Sequence, residues 1–435
     1  MWAGPPGKIA IGLVGAACDC FTRVVPHSMP SAEPIPPPVN PADPSEPAFW
    51  HEQLSPDEIS FLRKVTDFAA NDVAPHAATW EQQEALPRDI FTKAGRLGLM
   101  GMTAPRRLGG RGFGYVAYAL AVREIARHQA ALAVGIAAHN SLGCGHLLAA
   151  GTPVQQRRVM PKLLHGTWLV AWALTEPEAG SDSGGVQTTA TEVARGRWEL
   201  TGFKRYITLG RTADVQVVIA VSGQTPEGRK EFSAFLVNRA EIQPLRKVPT
   251  CGLRASDTAE FRLNKARAEL LGARGQGQAV ALGCLDKGRI GVAAASLGLA
   301  RAALDASLKH VLTRRQFGKR LADFQALQFK LADCAVELRA AEALVLQAAI
   351  LATRGVRHTL ESSVAKLYAS EAASRICNHA LQIHGGYGYT RDIPVERYWR
   401  DARLSEIGEG SSEVQRIIIS RALLKSAEGS PASVR

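Results

Sequence analysis

The sequence predicts an α+β multi-module protein: an N-terminal α-helical domain, a small central β-barrel or sandwich domain, and a C-terminal four-helix bundle. Three observations carry that expectation. Apolar residues recur at helical spacing from Ile59 to about residue 150 and again beyond Gly277. Between those stretches lie short β-rich runs separated by Gly, Pro, Asn and Asp. A chain of 435 residues also has the length for two or three compact modules.

Residues 1–48 read as a disordered or mis-annotated tail. The apolar run Ile9–Cys18 is ten residues long, half of the ~20 that a spanning helix needs. Prolines then crowd Pro30–Pro38 and return at Pro41, Pro44 and Pro47, which favours extended polyproline structure. Lys8 before the apolar run resembles a weak secretory signal, but no A-x-A-like site follows it. The alternative is that Met29 is the initiator.

The helical domain is expected over 49–167. Ser55 is a good N-cap, Pro56 suits the first helical position, and Glu58 completes a capping box before Ile59, Leu62, Val65, Phe68 and Ala69. Further helices are expected at about 88–98, 114–128 and 130–150, with a turn at Gly109–Gly112. The β domain, 168–271, has strand candidates at Trp168–Leu174, Trp198–Ile207, Val215–Val221, Phe232–Val237 and Ala259–Leu263. The bundle, 272–425, is marked by three periodic series: Ile290, Ala294, Leu297, Leu304, Leu308 and Val311; Phe324, Leu327, Leu331, Ala335, Leu338 and Ala341; and Val364, Leu367, Ile376 and Ile383. A last helix falls near Glu413–Leu424, and 426–435 reads as a second tail.

Composition narrows the function classes. The net charge of +12 arises from 52 Lys+Arg against 40 Asp+Glu, but the basic pairs are scattered and no aromatic platform is interleaved with them. That pattern fits small polyanionic ligands or an acidic protein partner better than nucleic acid. The seven cysteines are odd in number, without CxxC or Cys/His spacing, so no metal site is expected and free thiols in a reducing compartment are. No GxGxxG follows a strand, and Walker, HExxH and GxSxG motifs are absent from the sequence. A redox cofactor would therefore be held without a Rossmann turn.

Two segments carry candidate chemistry. Thr175–Asp182 joins the first strand to a loop of hydroxyls and backbone donors, either a wall for polar cofactor atoms or an ordinary turn. Glu409 lies between Gly408 and Gly410, just before a helix begun by Ser411 or Ser412, and either complements that helix dipole or acts as a base.

With Leu97–Gly101 and Gly109–Gly110, Thr175–Pro177 and Gly180–Asp182, Lys204–Thr208, Gly252–Thr258, Arg314–Gly318, Gln325, Gln382–Tyr389 and Glu409–Gly410 in this order, the sequence resembles the acyl-CoA dehydrogenase family from about residue 49 to 425. The resemblance is to short- and medium-chain-like members with a Glu base in a C-terminal E-G-S/T motif. It implies FAD held between subunits. Trp172, Leu174, Thr175, Gly180 and Ser181 match the flavin wall, and Tyr206, Ile207 and Thr208 its next strand, with the Thr hydroxyl near flavin N5. Arg314, Gln316, Gln325, Gln382, Gly385 and Gly386 match positions reaching the pyrophosphate and adenosine, largely from a neighbouring subunit. Gly410, Ser411 and Glu413 match cofactor positions after the base. Taken alone, Arg314 equally suits a helix C-terminus and Tyr206 a strand core.

By the same resemblance Glu409 removes the α-proton of an acyl-CoA thioester while the β-hydrogen leaves as hydride to the flavin, giving trans-2-enoyl-CoA. Ser181, Asp286, Arg289 and Arg421 match substrate positions, and Asp286 with Arg289 also reads as a structural ion pair. In certain relatives the base lies immediately before the position of Arg289; here that residue is Gly288, leaving Glu409 alone. Many relatives have Tyr where this chain has Gly408, which leaves room beside the α and β carbons. The resemblance further implies an electron-transfer flavoprotein as acceptor, a homotetramer built as a dimer of dimers, and a cytoplasmic location, or the mitochondrial matrix in a eukaryote. The competing functions are desaturation of a carrier-protein thioester, use of oxygen as acceptor, and a flavin-containing DNA-binding relative.

Overall fold

The structure is a computed structural model that describes residues 48–429. The expectations for residues 1–47 and 430–435 lie outside the described residues. The N-terminal module contains α1 (Ala48–His51), α2 (Pro56–Phe68), α3 (Ala77–Gln83), α4 (Arg88–Leu97), α5 (Tyr115–His128), α6 (Ala130–Ala138), α7 (Gly145–Ala150) and α8 (Pro153–Leu164). The capping box forms as the sequence requires: Ser55 Oγ accepts the Glu58 N–H, and the Glu58 carboxylate accepts the Ser55 N–H. Thr152 and Gln155 build a second box at the start of α8, a helix the apolar spacing did not single out.

The helix expected over 130–150 is one continuous path with a defect in its middle. Between α6 and α7, residues His139–Cys144 are wound as a π-helical segment. Its widened turn is held from within: Ser141 Oγ donates to Ala137 O at 2.7 Å, and the Asn140 amide donates to Leu99 O and Ile136 O at 2.9 Å. Such bulges tend to mark functional sites.

The middle module has seven strands: β1 (Val170–Ala173), β2 (Thr189–Ala194), β3 (Arg197–Thr208), β4 (Val215–Gln224), β5 (Lys230–Asn238), β6 (Ile242–Lys247) and β7 (Thr258–Leu271). Strands β4, β2, β3, β7 and β5 pair in a closed ring, while β1 runs parallel to β4 and β6 pairs with β7. Of the barrel or sandwich expected from the sequence, the chain adopts the barrel. Strands β2 and β6 went unanticipated for visible reasons: β2 is exposed along nearly its whole length, and β6 carries Pro244 among charged residues. A bulge in the β3–β7 register between Lys204 and Ile207 puts Tyr206 at φ +58° and turns it outward, leaving Ile207 inside.

The C-terminal module contains α9 (Gly277–Thr313), α10 (Gln325–Thr353), α11 (Thr359–His384), α12 (Val395–Ser405) and α13 (Ser412–Ala427). The long apolar helix α9 and the 130–150 path are long and apolar enough to cross a bilayer, yet most of each is buried inside the fold, as in core helices. The expected core face of α11 needs correction. Val364 and Leu367 are only half-buried, whereas Ser362, Ser363, Ala365, Lys366, Ala369 and Ser370 are buried, because small side chains let α11 lie close against α9. Ala335 of α10 is likewise exposed rather than buried. Barrel and bundle meet at Gly252, where an added Cβ would lie 2.2 Å from Arg400 O, and where the Leu253 N–H donates to the Asp401 carboxylate at 2.5 Å.

Candidate active site

Glu409 sits in the turn between α12 and α13 with φ +53°, followed by Gly410 at φ +95°. Two successive left-handed residues need outside support. Ser411 caps α13 by accepting the Val414 N–H, and the buried Gln415 amide donates to both Glu409 O and Gly410 O. A further donor reaches the same Gly410 carbonyl from α11: the buried Lys366 Nζ, at 2.7 Å.

The turn aims the Glu409 side chain inward against α9. An added Cβ on Gly288 would fall 1.9 Å from Glu409 Oε2 and 3.0 Å from Leu142 Cδ2. Only a glycine leaves space for the carboxylate there. Oε2 is buried and accepts no hydrogen bond among the described residues. Burial therefore raises the Glu409 pKa to about 7, against the opposing pull of the Lys366 and Arg289 cations. Arg289 is buried one residue from Gly288; it donates to Asp286 at 2.5 Å, and Asp286 in turn accepts from Thr359 Oγ1 at 2.6 Å. The structural ion pair is thus present, and it lies beside Glu409.

The residues matched to a flavin wall line the barrel's near side. Leu174 and Ile207 are buried; Trp172, Thr175 and Thr208 are half-buried; Gly180, Ser181 and Tyr206 are exposed. Two buried groups to which the sequence assigned no role, Lys204 and Glu176, hold this wall together. Lys204 is fully buried on β3 and donates to Glu176 Oε1, Leu174 O and Ile219 O at 2.8–2.9 Å. Glu176 also accepts the Gln187 and Thr188 N–H groups. Burial works against both charges, but Lys204 and the backbone donors hold the Glu176 carboxyl below its usual range. The Trp172 indole N–H donates to Nδ1 of the buried His146 at 3.3 Å. A lysine inside an apolar strand pattern was the one visible signal for this support; His146 offered none.

The π-helical segment reaches both the wall and the place on α9 where Glu409 rests. Its His139 ring accepts the Val170 N–H, Gly143 packs against the Val170 side chain, and Leu142 packs at Gly288. A third group gathers elsewhere. Arg314, Gln316 and Gln325 are exposed where α9 gives way to α10. The exposed Gln382, Gly385 and Gly386 at the end of α11 are drawn to them by the stacked His310–His384 rings and by Arg314 over the Tyr387 ring at 5.4 Å. Gly410 and Ser411 are half-buried in the turn that carries Glu409 and Glu413 is exposed just beyond. Arg421 stands exposed about two and a half turns further along α13, and the structure does not bring it to Glu409 within one chain.

These surroundings fit a flavin. The wall presents aromatic edges and hydroxyls, and an added Cβ at Gly180, Gly385 or Gly386 would meet nothing within 4 Å, so backbone is open to close approach. Arg314 and the nearby amides supply donors suited to a pyrophosphate. A carboxylate oxygen buried without a donor, joined through one helical segment to such a wall, points to a flavin-dependent oxidoreductase.

Comparison with known proteins narrows the class. Three family models match in succession: the acyl-CoA dehydrogenase N-terminal domain over 55–167, middle domain over 171–266 and C-terminal domain over 275–424. The chain is 42% identical over 379 residues to the probable acyl-CoA dehydrogenase YngJ of Bacillus subtilis, covering 86% of this chain and 99% of that one. It is 38% identical to the caffeyl-CoA reductase-Etf complex subunit CarC of Acetobacterium woodii, covering 85% and 99%. Butyryl-CoA dehydrogenase from Megasphaera elsdenii superposes with a TM-score of 0.83 at 35% identity, covering 86% and 99%. The chain belongs to the acyl-CoA dehydrogenase family, FAD-dependent oxidoreductases acting on CH–CH donors.

Proposed function

We propose that this protein desaturates a short acyl-CoA thioester to the trans-2-enoyl-CoA, with Glu409 as the base. The observation that carries the reading is Glu409, held in a left-handed turn with its Oε2 buried and accepting no hydrogen bond among the described residues. In water a carboxylate near pKa 4.3 is a poor base; burial that lifts it to about 7 makes it stronger while leaving it substantially ionised at neutral pH. The α C–H bond breaks toward Glu409, its electron pair becomes the new C=C bond, and the backbone N–H of Glu409 steadies the thioester oxygen as charge develops there. When bound, FAD supplies the acceptor for the β-hydride. Trp172, Leu174, Thr175, Gly180, Ser181, Tyr206, Ile207 and Thr208 hold its ring side, and Arg314, Gln316, Gln325, Gln382, Gly385 and Gly386 its phosphates and adenosine, with Gly410, Ser411 and Glu413 beside it. Ser181, Asp286, Arg289 and Arg421 serve the substrate.

Smaller observations bear on Gly408 and on partners. An added Cβ at Gly408 would meet only ordinary contacts, 3.6 Å from Leu404 O, so packing does not require the glycine there. Phe317, Tyr387 and Tyr389 are 90%, 51% and 85% exposed around Arg314, an apolar surface that a second copy of the chain covers in a homotetramer. The name of the A. woodii relative supports an electron-transfer flavoprotein as acceptor. The buried free thiols Cys144, Cys284, Cys334 and Cys377 suit a cytoplasmic setting. The test is Glu409→Gln: with FAD absorbance retained, anaerobic bleaching by butyryl-CoA should slow by ~10²–10⁴ while enoyl-CoA still binds. Near-normal bleaching would end the assignment.

A further inference from the structure

Lys366 is a buried lysine on α11 that, among the described residues, donates to one backbone carbonyl and has no carboxylate within ion-pair distance. Burying an ammonium without a counter-ion is costly, and an apolar side chain of similar length would fill the same space without that cost. Nor is the lysine needed to satisfy the carbonyl, because Gln415 already donates to Gly410 O at 2.9 Å. What remains to be explained is the charge.

Glu409 Oε2 is buried and accepts no hydrogen bond among the described residues, and Lys366 holds the carbonyl of the next residue in the same turn. Charged and titratable groups face this turn from every element around it. On α9, Arg289 is engaged by Asp286, so its field is largely spent locally. On α5, Tyr118 is buried and stays neutral, its phenol pKa pushed above the usual range by burial. Glu371 of α11 is tied to Arg416 of α13, and Glu406 to Arg403. Lys366 alone has no such partner. Both Lys366 and Arg289 oppose the effect of burial on Glu409, and burial lowers the Lys366 pKa to about 8, so its charge is present through the range in which Glu409 titrates.

We propose that Lys366 is a positioning residue for the base: its ammonium grips the Gly410 carbonyl, steadies the turn that carries Glu409, and supplies the positive charge that favours the ionised carboxylate. The inference rests on the reading of Glu409 as the base. Its signature is therefore in the pH dependence of catalysis, because the rate of flavin reduction follows the ionised fraction of the base and rises as pH rises through its titration.

The experiment uses FAD-loaded enzyme with Lys366→Met, Lys366→Gln and Lys366→Arg, reduced anaerobically by butyryl-CoA from pH ~5.5 to ~9. Met removes the charge and the hydrogen bond, Gln removes the charge but keeps a donor, and Arg keeps the charge. Both neutral variants should shift the midpoint alkaline by about one unit or more, reduce flavin ~10-fold more slowly below neutral pH, and recover toward the parent rate at high pH. Lys366→Arg should keep the parent midpoint. A parent-like midpoint in Lys366→Gln, or in Lys366→Met where that variant holds its flavin, overturns the proposal, since a purely structural lysine would change melting temperature or flavin content and leave the midpoint alone. Glu409→Gln separates the two failures. If it bleaches normally the base assignment is wrong; if it is inactive while the lysine variants keep the parent profile, only the role of Lys366 is.

Discussion

Replacing Gly288 by alanine adds one methyl group at the point where the base rests. The new carbon would lie 1.9 Å from Glu409 Oε2, whereas ordinary contact begins at 3.4 Å, so the carboxylate has to retreat by about 1.5 Å. It cannot slide freely, because Leu142 Cδ2 already stands 3.0 Å from the same carbon. The fold should tolerate the change. Position 288 is inside α9, where alanine is favoured over glycine by about 1 kcal/mol, and the clashing atom is the end of a flexible side chain rather than backbone. Catalysis should not tolerate it, since a misplacement of about 1 Å at a reacting group costs on the order of 10²-fold. The assay is stopped-flow reduction of the bound flavin under saturating butyryl-CoA, with melting temperature measured on the same preparation. Gly288→Ala should reduce flavin about 10²-fold more slowly with an unchanged or higher melting temperature. A rate within about threefold of the parent would refute the claim that the carboxylate works from this position.

Three further expectations follow from the same packing. Because Glu409 titrates near 7 when folded and near 4.5 when unfolded, the fold holds its proton more tightly; ionising it removes stability as pH rises between those values, so Glu409→Gln should raise the melting temperature at pH 8 and leave it nearly unchanged at pH 4, and an equal effect at both would contradict the desolvated charge. Lys204→Met strands the Glu176 carboxylate inside the barrel and should cost about 3–5 kcal/mol in urea unfolding; a loss under about 1 kcal/mol would mean that water reaches the pair. Arg314→Ala should release FAD on gel filtration, and wild-type retention would remove Arg314 from the pyrophosphate contacts.

The helices with apolar periodicity were legible in the sequence, since burial of α2, α4, α5 and α9 follows from their own side chains. Helix α12 was not, because the face it buries includes Arg397, Arg400 and Asp401 and reads as a solvated charge run until its partners in the barrel loop are known. The same inversion hid Lys366: the buried stripe of α11 is Ser, Ala and Lys, and packing between close helices rewards small size over apolarity. Glu409 stood out only through family resemblance. A glutamate before a helix N-terminus has an ordinary electrostatic purpose, and nothing in the local sequence indicates that its carboxylate turns away from the helix onto a glycine 121 residues earlier. The π-helical segment left no mark at all, since the apolar run from Ala130 to Ala150 is equally compatible with an unbroken helix.

The contact between Gly288 and Glu409 also bears on how such a site can change its history. In relatives that carry the base at the position of Gly288, a side chain fills the space this protein keeps for the carboxylate of residue 409. The two arrangements are alternative fillings of one cavity, and a chain holding both acids would crowd two negative charges into volume sufficient for one. A lineage passing from one arrangement to the other by single substitutions would meet either that crowded intermediate or one with no base. Steric exclusion at one helix position thus ties the two residues together: what stands at 288 decides whether a carboxylate at 409 can rest there.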